Sequence, residues 1–216
     1  MKNVSGKKLC TAIGFLVLFA VWTILVSKVN VAPIGPEKSS VGFSAINGFF
    51  HNLTGVNMTL YVITDWLGLV PVFAGFGFAV LGLCQWIRRK NILKVDLSIL
   101  ILGGFYIVVI VAYLLFEEVV INYRPILING FLEASYPSST TLLVLCVMPA
   151  AMIQFNVRIK NRTLRRCVSL LITFFIVFMV GGRLISGVHW LTDIVGGVLL
   201  SVGLTMLYIS LTENVL

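Results

Sequence analysis

Residues 97–116 read LSILILGGFYIVVIVAYLLF, a run of 20 residues without a charged side chain. An α-helix rises about 1.5 Å per residue, so a run of this length crosses the roughly 30 Å hydrocarbon core of a bilayer. The stretch therefore predicts a transmembrane helix rather than a helix inside a soluble domain.

Five further apolar stretches extend this interpretation to the rest of the chain. They lie at about 9–27, 58–87, 139–156, 167–182 and 188–210. Hydrophobic residues make up 59% of the 216 residues and charged residues 11%, whereas soluble domains are about 45–50% apolar. This composition excludes a soluble domain, a disordered chain and a small disulfide scaffold. We predict an all-α, polytopic membrane protein with six transmembrane helices, forming a single domain over residues 1–216.

A shorter amphipathic segment precedes the second span. Residues 43–53 read FSAINGFFHNL, and their large apolar side chains recur at helical spacing. This pattern is typical of a short helix that lies on the membrane surface. Inside the second span, Pro71 predicts a kink.

Basic residues are concentrated in three segments. Residues 2–8, 88–94 and 158–166 hold 12 of the 16 Lys and Arg residues. Under the positive-inside rule these segments and both termini face the cytoplasm, and residues 117–138 and 182–189 face outward. Topology therefore accounts for the net charge of +8, and no nucleic-acid partner is expected. Short loops and the lack of a targeting signal favour a bacterial plasma membrane.

Ionisable residues gather at the predicted outer ends of spans three to six. They are Glu117, Glu118, Arg124, Glu133, Arg183, His189 and Asp193. Such groups are costly at a membrane and often mark functional sites. Arg124 and Arg183 lie outside, against the positive-inside bias. They either bind a phosphate, which the planar guanidinium group matches well, or form structural salt bridges with the nearby carboxylates.

The strongest constellation lies in residues 181–193, GGRLISGVHWLTD. His189 and Asp193 are four residues apart, which predicts that they share one helix face. A carboxylate there can orient the imidazole and leave its other nitrogen free as a base or nucleophile. Arg183, six residues before His189, can reach the same point from the loop side.

This segment resembles the third motif of the type 2 phosphatidic acid phosphatase superfamily. Arg183, His189 and Asp193 match the motif's arginine, histidine and aspartate at the family's spacing, with Gly182 where the family usually has serine. The six-span layout and the order of the motifs also resemble this family over nearly the whole chain.

The other two motifs of the family are matched only in part. In the first motif Arg124-Pro125 match, but Glu117 stands in the place of a lysine. In the second motif Pro137-Ser138 match, but Ser139 and Thr140 replace glycine and histidine. Glu117 lies two helical turns before Arg124, so an ion pair between them is a further possibility.

The resemblance implies a mechanism and a site. His189 would attack phosphorus and form a phosphohistidine, and Asp193 would orient it. Arg124, Arg183 and the Ser138 hydroxyl, with backbone N–H groups nearby such as that of Ser139, would hold the phosphate oxygens. The resemblance implies no metal and no cofactor, and the family's membrane branch acts on lipid phosphates and diphosphates embedded in the bilayer.

The replacement of the second-motif histidine leaves two functions open. That histidine protonates the leaving oxygen, which Thr140 cannot do at neutral pH. A lipid diphosphate needs this help least, because its leaving group is already a stable phosphate monoester anion. Polyprenyl diphosphate is therefore favoured, with His51 and Glu133 as candidate substitute acids.

The alternative is a catalytically weak or inactive relative that binds lipid phosphates or partner membrane proteins. A transporter or channel is less supported, because the charged residues cluster on one face instead of following a path across the membrane. The sequence leaves the exact lipid and the oligomeric state open.

Overall fold

The computed structural model describes residues 2–213 and 215, with side chains described for 6–213 and 215. Eight α-helices are present in this part of the chain, and we number them in chain order. They are α1 (Lys2–Lys28), α2 (Ser44–Thr54), α3 (Met58–Leu67), α4 (Leu69–Arg89), α5 (Leu97–Glu118), α6 (Ser139–Arg158), α7 (Arg162–Ile185) and α8 (Leu191–Thr212).

Six segments of the described chain are long and apolar enough to cross a membrane. Five are the single helices α1, α5, α6, α7 and α8, and the sixth is the combined segment Met58–Arg89. The remaining helix, α2, occupies the segment where the amphipathic pattern predicted a surface helix. The all-α, six-span fold is therefore confirmed.

The second span is interrupted at Gly68, between α3 and α4. Gly68 lies three residues before Pro71, within the turn that a proline disturbs, because proline lacks the N–H for the bond to residue i−4 and its ring clashes with that carbonyl. The interruption therefore lies where the sequence predicted a proline effect.

The fifth span also begins earlier than its apolar run. Asn161 caps α7 by accepting a hydrogen bond from the Leu164 amide, so the helix starts at Arg162 and carries the basic residues in its first turns. Hydropathy marks the part of a helix that suits lipid, whereas the cap marks where the helix begins.

Helices α6 and α8 form the centre of the bundle. They are the most buried spans; α8 packs against α1 and α6, and α6 also packs against α4, α5 and α7. Close approach depends on small residues: a Cβ atom added to Gly203 on α8 would lie 2.8 Å from the Leu16 side chain. Ser139 at the start of α6 and Asp193 at the start of α8 therefore lie on the most buried helices of the fold.

The connection between α5 and α6 forms a short hairpin over the end of the bundle. Arg124 N–H donates to Glu133 O at 3.0 Å, and Ser135 N–H donates to Asn122 O at 2.9 Å. The hairpin is tied to α8 by a hydrogen bond from Ser138 N–H to Asp193 O at 3.1 Å. This tie brings the first and second motif segments onto the third.

The predicted topology is testable at two exposed positions at opposite ends of the bundle. Phe131 at the hairpin tip is 72% exposed, and Leu93 in the α4–α5 connection is 84% exposed. With the four native cysteines replaced by serine, Phe131→Cys is expected to react with a membrane-impermeant maleimide in intact cells. Leu93→Cys is expected to react only after permeabilisation. The reverse pattern would put the candidate site on the cytoplasmic side.

Candidate active site

The loop between α7 and α8 is held in one conformation by the segment that precedes α3. Gly187 has φ +67°, and a Cβ atom there would lie 1.8 Å from Gly55 O, so only glycine is accommodated. Asn57 N–H also donates to Ser186 O at 3.0 Å. This clamp fixes the loop that carries His189, which is 4% exposed.

His189 and Asp193 do not share a helix face, contrary to the prediction. His189 lies before α8, and Asp193 lies in its first turn. The reason is a cap: the Asp193 carboxylate accepts a hydrogen bond from Trp190 N–H at 2.9 Å, which starts the helix after His189. The two side chains still converge, because the chain turns sharply at this point.

A serine hydroxyl lies between the histidine and the aspartate. His189 Nδ1 is 4.0 Å from Asp193 Oδ2, too far for a hydrogen bond. Ser135 Oγ is 2.9 Å from Nδ1 and donates to Asp193 Oδ2 at 2.5 Å. Asn122 Nδ2 donates to the other carboxylate oxygen at 3.2 Å. Ser135 and Asn122 lie in the sequence stretch that carries the first two motifs, but no spacing linked them to Asp193.

This arrangement fixes the tautomer of His189. The single hydroxyl hydrogen of Ser135 is directed to the Asp193 carboxylate, so Ser135 accepts from Nδ1–H. The lone pair of Nε2 then accepts a hydrogen bond from Arg124 Nη1. Burial, and next the charges of Arg124 and Arg183, hold the pKa of His189 well below its usual range. The imidazole is therefore neutral at pH 7, the form a nucleophile needs.

Arg124 lies directly against the Nε2 atom of His189. Its Nη1 is 3.4 Å from His189 Nε2, and its Nε forms an ion pair with Glu133 Oε2 at 3.0 Å. The ion pair considered with Glu117 is not present, because α5 ends at Glu118 and the two residues do not follow one another along a helix. Of the salt bridges considered for Arg124, the structure contains the one to Glu133.

Arg183 is buried and held by α3. Its Nη1 lies 3.6 Å from Asp65 Oδ1 and 3.4 Å from Thr64 Oγ1. Thr64 also fills the space beside Gly182, where a Cβ atom would lie 2.7 Å from its methyl group. The glycine that replaces the family's serine therefore lets α3 approach α7.

One aromatic ring contacts both arginines. The guanidinium carbon of Arg183 lies 4.9 Å from the centre of the Tyr61 ring, and that of Arg124 lies 5.8 Å from it. These are cation–π distances. Sequence reasoning missed Tyr61, because nothing in its surroundings distinguishes it from a tyrosine at the membrane interface.

The two arginines line a polar cavity of about 620 Å³. Its other lining residues come from α3, α5, the hairpin and the start of α6, and they include Tyr61, Asp65, Tyr113, Glu117, Tyr123, Glu133, Ser139 and Thr140. Ser138 lies beside the cavity and is buried, and its hydroxyl accepts from Thr141 at 3.1 Å. Because α6 begins at Ser139, unpaired amide N–H groups of its first turn lie at the cavity.

The cavity has the character of an anion site. Two guanidinium groups and a helix N-terminus converge there, and both suit a phosphate. Among the described residues, no three His, Cys, Asp or Glu side chains are grouped so that they could hold a metal ion. His189 does not itself line the cavity; Arg124, which does, lies between the cavity and the buried imidazole.

The segment from the end of α5 onward, which carries all three motifs, matches the model of the PAP2 superfamily over residues 117–215. These residues belong to the PAP2 superfamily. The match confirms the resemblance seen in the sequence. Helices α1–α4 lie outside it, so Tyr61 and Asp65 reach the site from beyond the matched PAP2 segment.

The fold has a counterpart among solved structures. The chain is similar to a transmembrane PAP2-type phosphatidylglycerolphosphate phosphatase from Bacillus subtilis, with a TM-score of 0.60 and 17% identity. The likeness covers 95% of this chain and 97% of the other. At this identity it shows a shared fold. No curated protein is found to match the sequence.

Proposed function

We propose that this PAP2 protein is an integral-membrane phosphatase that hydrolyses lipid phosphates at the outer face of the membrane. Polyprenyl diphosphate is the favoured substrate, and a phosphohistidine on His189 is the intermediate. The observation that carries the proposal is the buried chain of contacts from Asp193 through Ser135 to His189, which directs the Nε2 lone pair to the phosphate-binding residue Arg124.

The proposed reaction begins with a phosphate in the polar cavity. Arg124, Arg183 and the first amides of α6 hold its oxygens and stabilise the charge that they carry in the transition state. Nε2 of His189 attacks phosphorus, and the P–O bond to the leaving group breaks. The positive charge that develops on the ring is stabilised through Ser135 by the Asp193 carboxylate. Water then hydrolyses the phosphohistidine.

An apolar groove supports a substrate with a hydrocarbon chain. The groove, of about 410 Å³, lies between α4 and α5 with α6 at its floor. On α5 it is lined by Tyr106 and Ile110, and the same helix face continues to Tyr113 and Glu117 of the polar cavity. A lipid with its phosphate in the cavity can therefore lay its chain along the groove within the membrane.

Neither substitute acid suggested by the sequence suits the role. Glu133 forms an ion pair with Arg124, so it is engaged by a phosphate-binding residue. The ring of His51 lies against Trp190, 5.5 Å between centroids, and is not part of the cavity lining. Burial also lowers the pKa of His51, which disfavours the imidazolium form that a general acid needs. Because neither residue suits the role of general acid, a diphosphate is favoured, since its leaving group needs little protonation.

A second candidate function is lipid-phosphate binding without efficient turnover. Its support is the composition of the cavity, where Glu117 and Thr140 stand in place of the family's lysine and histidine. The contacts that orient His189, from Asp193 through Ser135, are nevertheless present.

Phosphate release from purified protein distinguishes the two functions. Farnesyl diphosphate and farnesyl phosphate carry the same chain, so any difference between them comes from the leaving group. We expect release from both, faster from the diphosphate. No release from either, with phosphate-lipid binding retained, would favour the inactive relative.

The bridging role of Ser135 gives a further prediction. Ser135→Ala is expected to lower kcat about tenfold, the effect of about one lost hydrogen bond, with KM unchanged. Ser135→Thr keeps the hydroxyl and is expected to retain most of the activity. An unchanged kcat in Ser135→Ala would mean that His189 and Asp193 do not need the bridge.

A further inference from the structure

The cavity holds one hydroxyl group whose position the mechanism above does not use. Tyr61 lines the polar cavity and is only partly buried. Among the described residues its hydroxyl makes no hydrogen bond, so the group is available to a ligand.

The ring of Tyr61 is placed by the phosphate-binding groups themselves. Both guanidinium carbons lie within 6 Å of its centroid, at 4.9 Å and 5.8 Å. Any phosphate held between Arg124 and Arg183 is therefore beside Tyr61.

Tyr61 and Thr140, the position that lacks the family's histidine, line the same cavity. The end of α3 also approaches Thr140, because a Cβ atom added to Gly68 would lie 3.7 Å from the Thr140 methyl group. The cavity that lacks the histidine therefore contains the hydroxyl of Tyr61.

We propose that the Tyr61 hydroxyl is the proton donor for the leaving oxygen. This inference rests on the proposed phosphatase function and adds a catalytic residue from outside the matched PAP2 segment. As the bond between His189 Nε2 and phosphorus forms and the bond to the leaving oxygen breaks, the Tyr61 proton passes to that oxygen. The phenolate regains a proton from the water that hydrolyses the phosphohistidine.

Two other tyrosines in the same cavity serve as matched controls. Tyr113 and Tyr123 line it, but neither ring makes a cation–π contact with an arginine. Tyr113 lies beside Glu117, whose carboxylate engages its hydroxyl. Replacement of either by phenylalanine removes one hydroxyl from the cavity without touching the two phosphate-binding arginines.

The test compares leaving groups. Tyr61→Phe keeps the ring under the arginines and removes only the hydroxyl. General acid catalysis acts most on a basic leaving group, so we expect farnesyl phosphate hydrolysis to fall at least about tenfold and farnesyl diphosphate hydrolysis less than about threefold. Tyr113→Phe and Tyr123→Phe are expected to leave the ratio of the two rates unchanged. Adding Thr140→His to Tyr61→Phe is expected to restore the monophosphate rate.

The outcomes separate this proposal from the function on which it rests. Wild-type turnover of farnesyl diphosphate supports the phosphatase function whatever Tyr61→Phe does. An unchanged ratio in Tyr61→Phe, or an equal loss on both substrates, overturns the proton-donor role. A wild type that hydrolyses neither lipid contradicts both.

Discussion

His189→Ala is expected to abolish phosphate release from farnesyl diphosphate and from farnesyl phosphate alike. The substitution removes the proposed nucleophile, and loss of a covalent nucleophile lowers kcat by at least about 10³-fold in enzymes of this kind. The leaving group should not matter, because the P–N bond cannot form with either lipid. Phosphate release per molecule of purified protein measures the effect.

The chain offers a matched control for this variant. His51 is its one other histidine, and its ring lies against Trp190 and the backbone of Gly187. His51→Ala is expected to keep activity within about tenfold of the wild type, since it removes contacts with the loop and no reacting group. Equal losses in the two variants would mean that His189 acts on stability and not on the chemistry.

Thr140→His is expected to raise hydrolysis of the monophosphate by at least about tenfold and that of the diphosphate by less than about threefold. An alkoxide leaving group gains most from a proton, whereas a phosphate monoester leaves as a stable anion. Thr140 lines the cavity, so a histidine there faces the same space. The ratio of the two rates, measured at one pH, checks the prediction.

Two other outcomes for this variant are informative. If the wild type is inactive and Thr140→His together with Glu117→Lys gives turnover, the protein is a degenerate relative whose site has lost its acid and one cation. If Thr140→His raises both rates equally, protonation of the leaving group does not limit the wild-type rate.

The fold was predictable because a helix that crosses the membrane needs about 20 consecutive residues that are mostly apolar. Residues 97–116 were predicted from their lack of charge, and α5 occupies Leu97–Glu118. The sequence also predicted a kink from Pro71, and the second span is interrupted at Gly68, in the turn before that proline.

The site was predictable where it follows spacing and not where it depends on long-range contacts. The motif spacing identified Arg183, His189 and Asp193, and the structure brings them to one end of the bundle. The spacing did not reveal the cap at Trp190 N–H, which starts the helix of Asp193 after His189. Ser135 and Tyr61 reach the site through tertiary packing, and no local pattern carries that information.

Detection of the phosphohistidine tests the proposed mechanism most directly. Purified protein is mixed with farnesyl diphosphate labelled in its terminal phosphate and quenched with alkali within one turnover, because a P–N bond is stable in alkali and labile in acid. Mass spectrometry of the digested protein is expected to find the label on His189, and none on the His189→Ala variant. Wild-type protein that releases phosphate while His189 never carries label would contradict the mechanism.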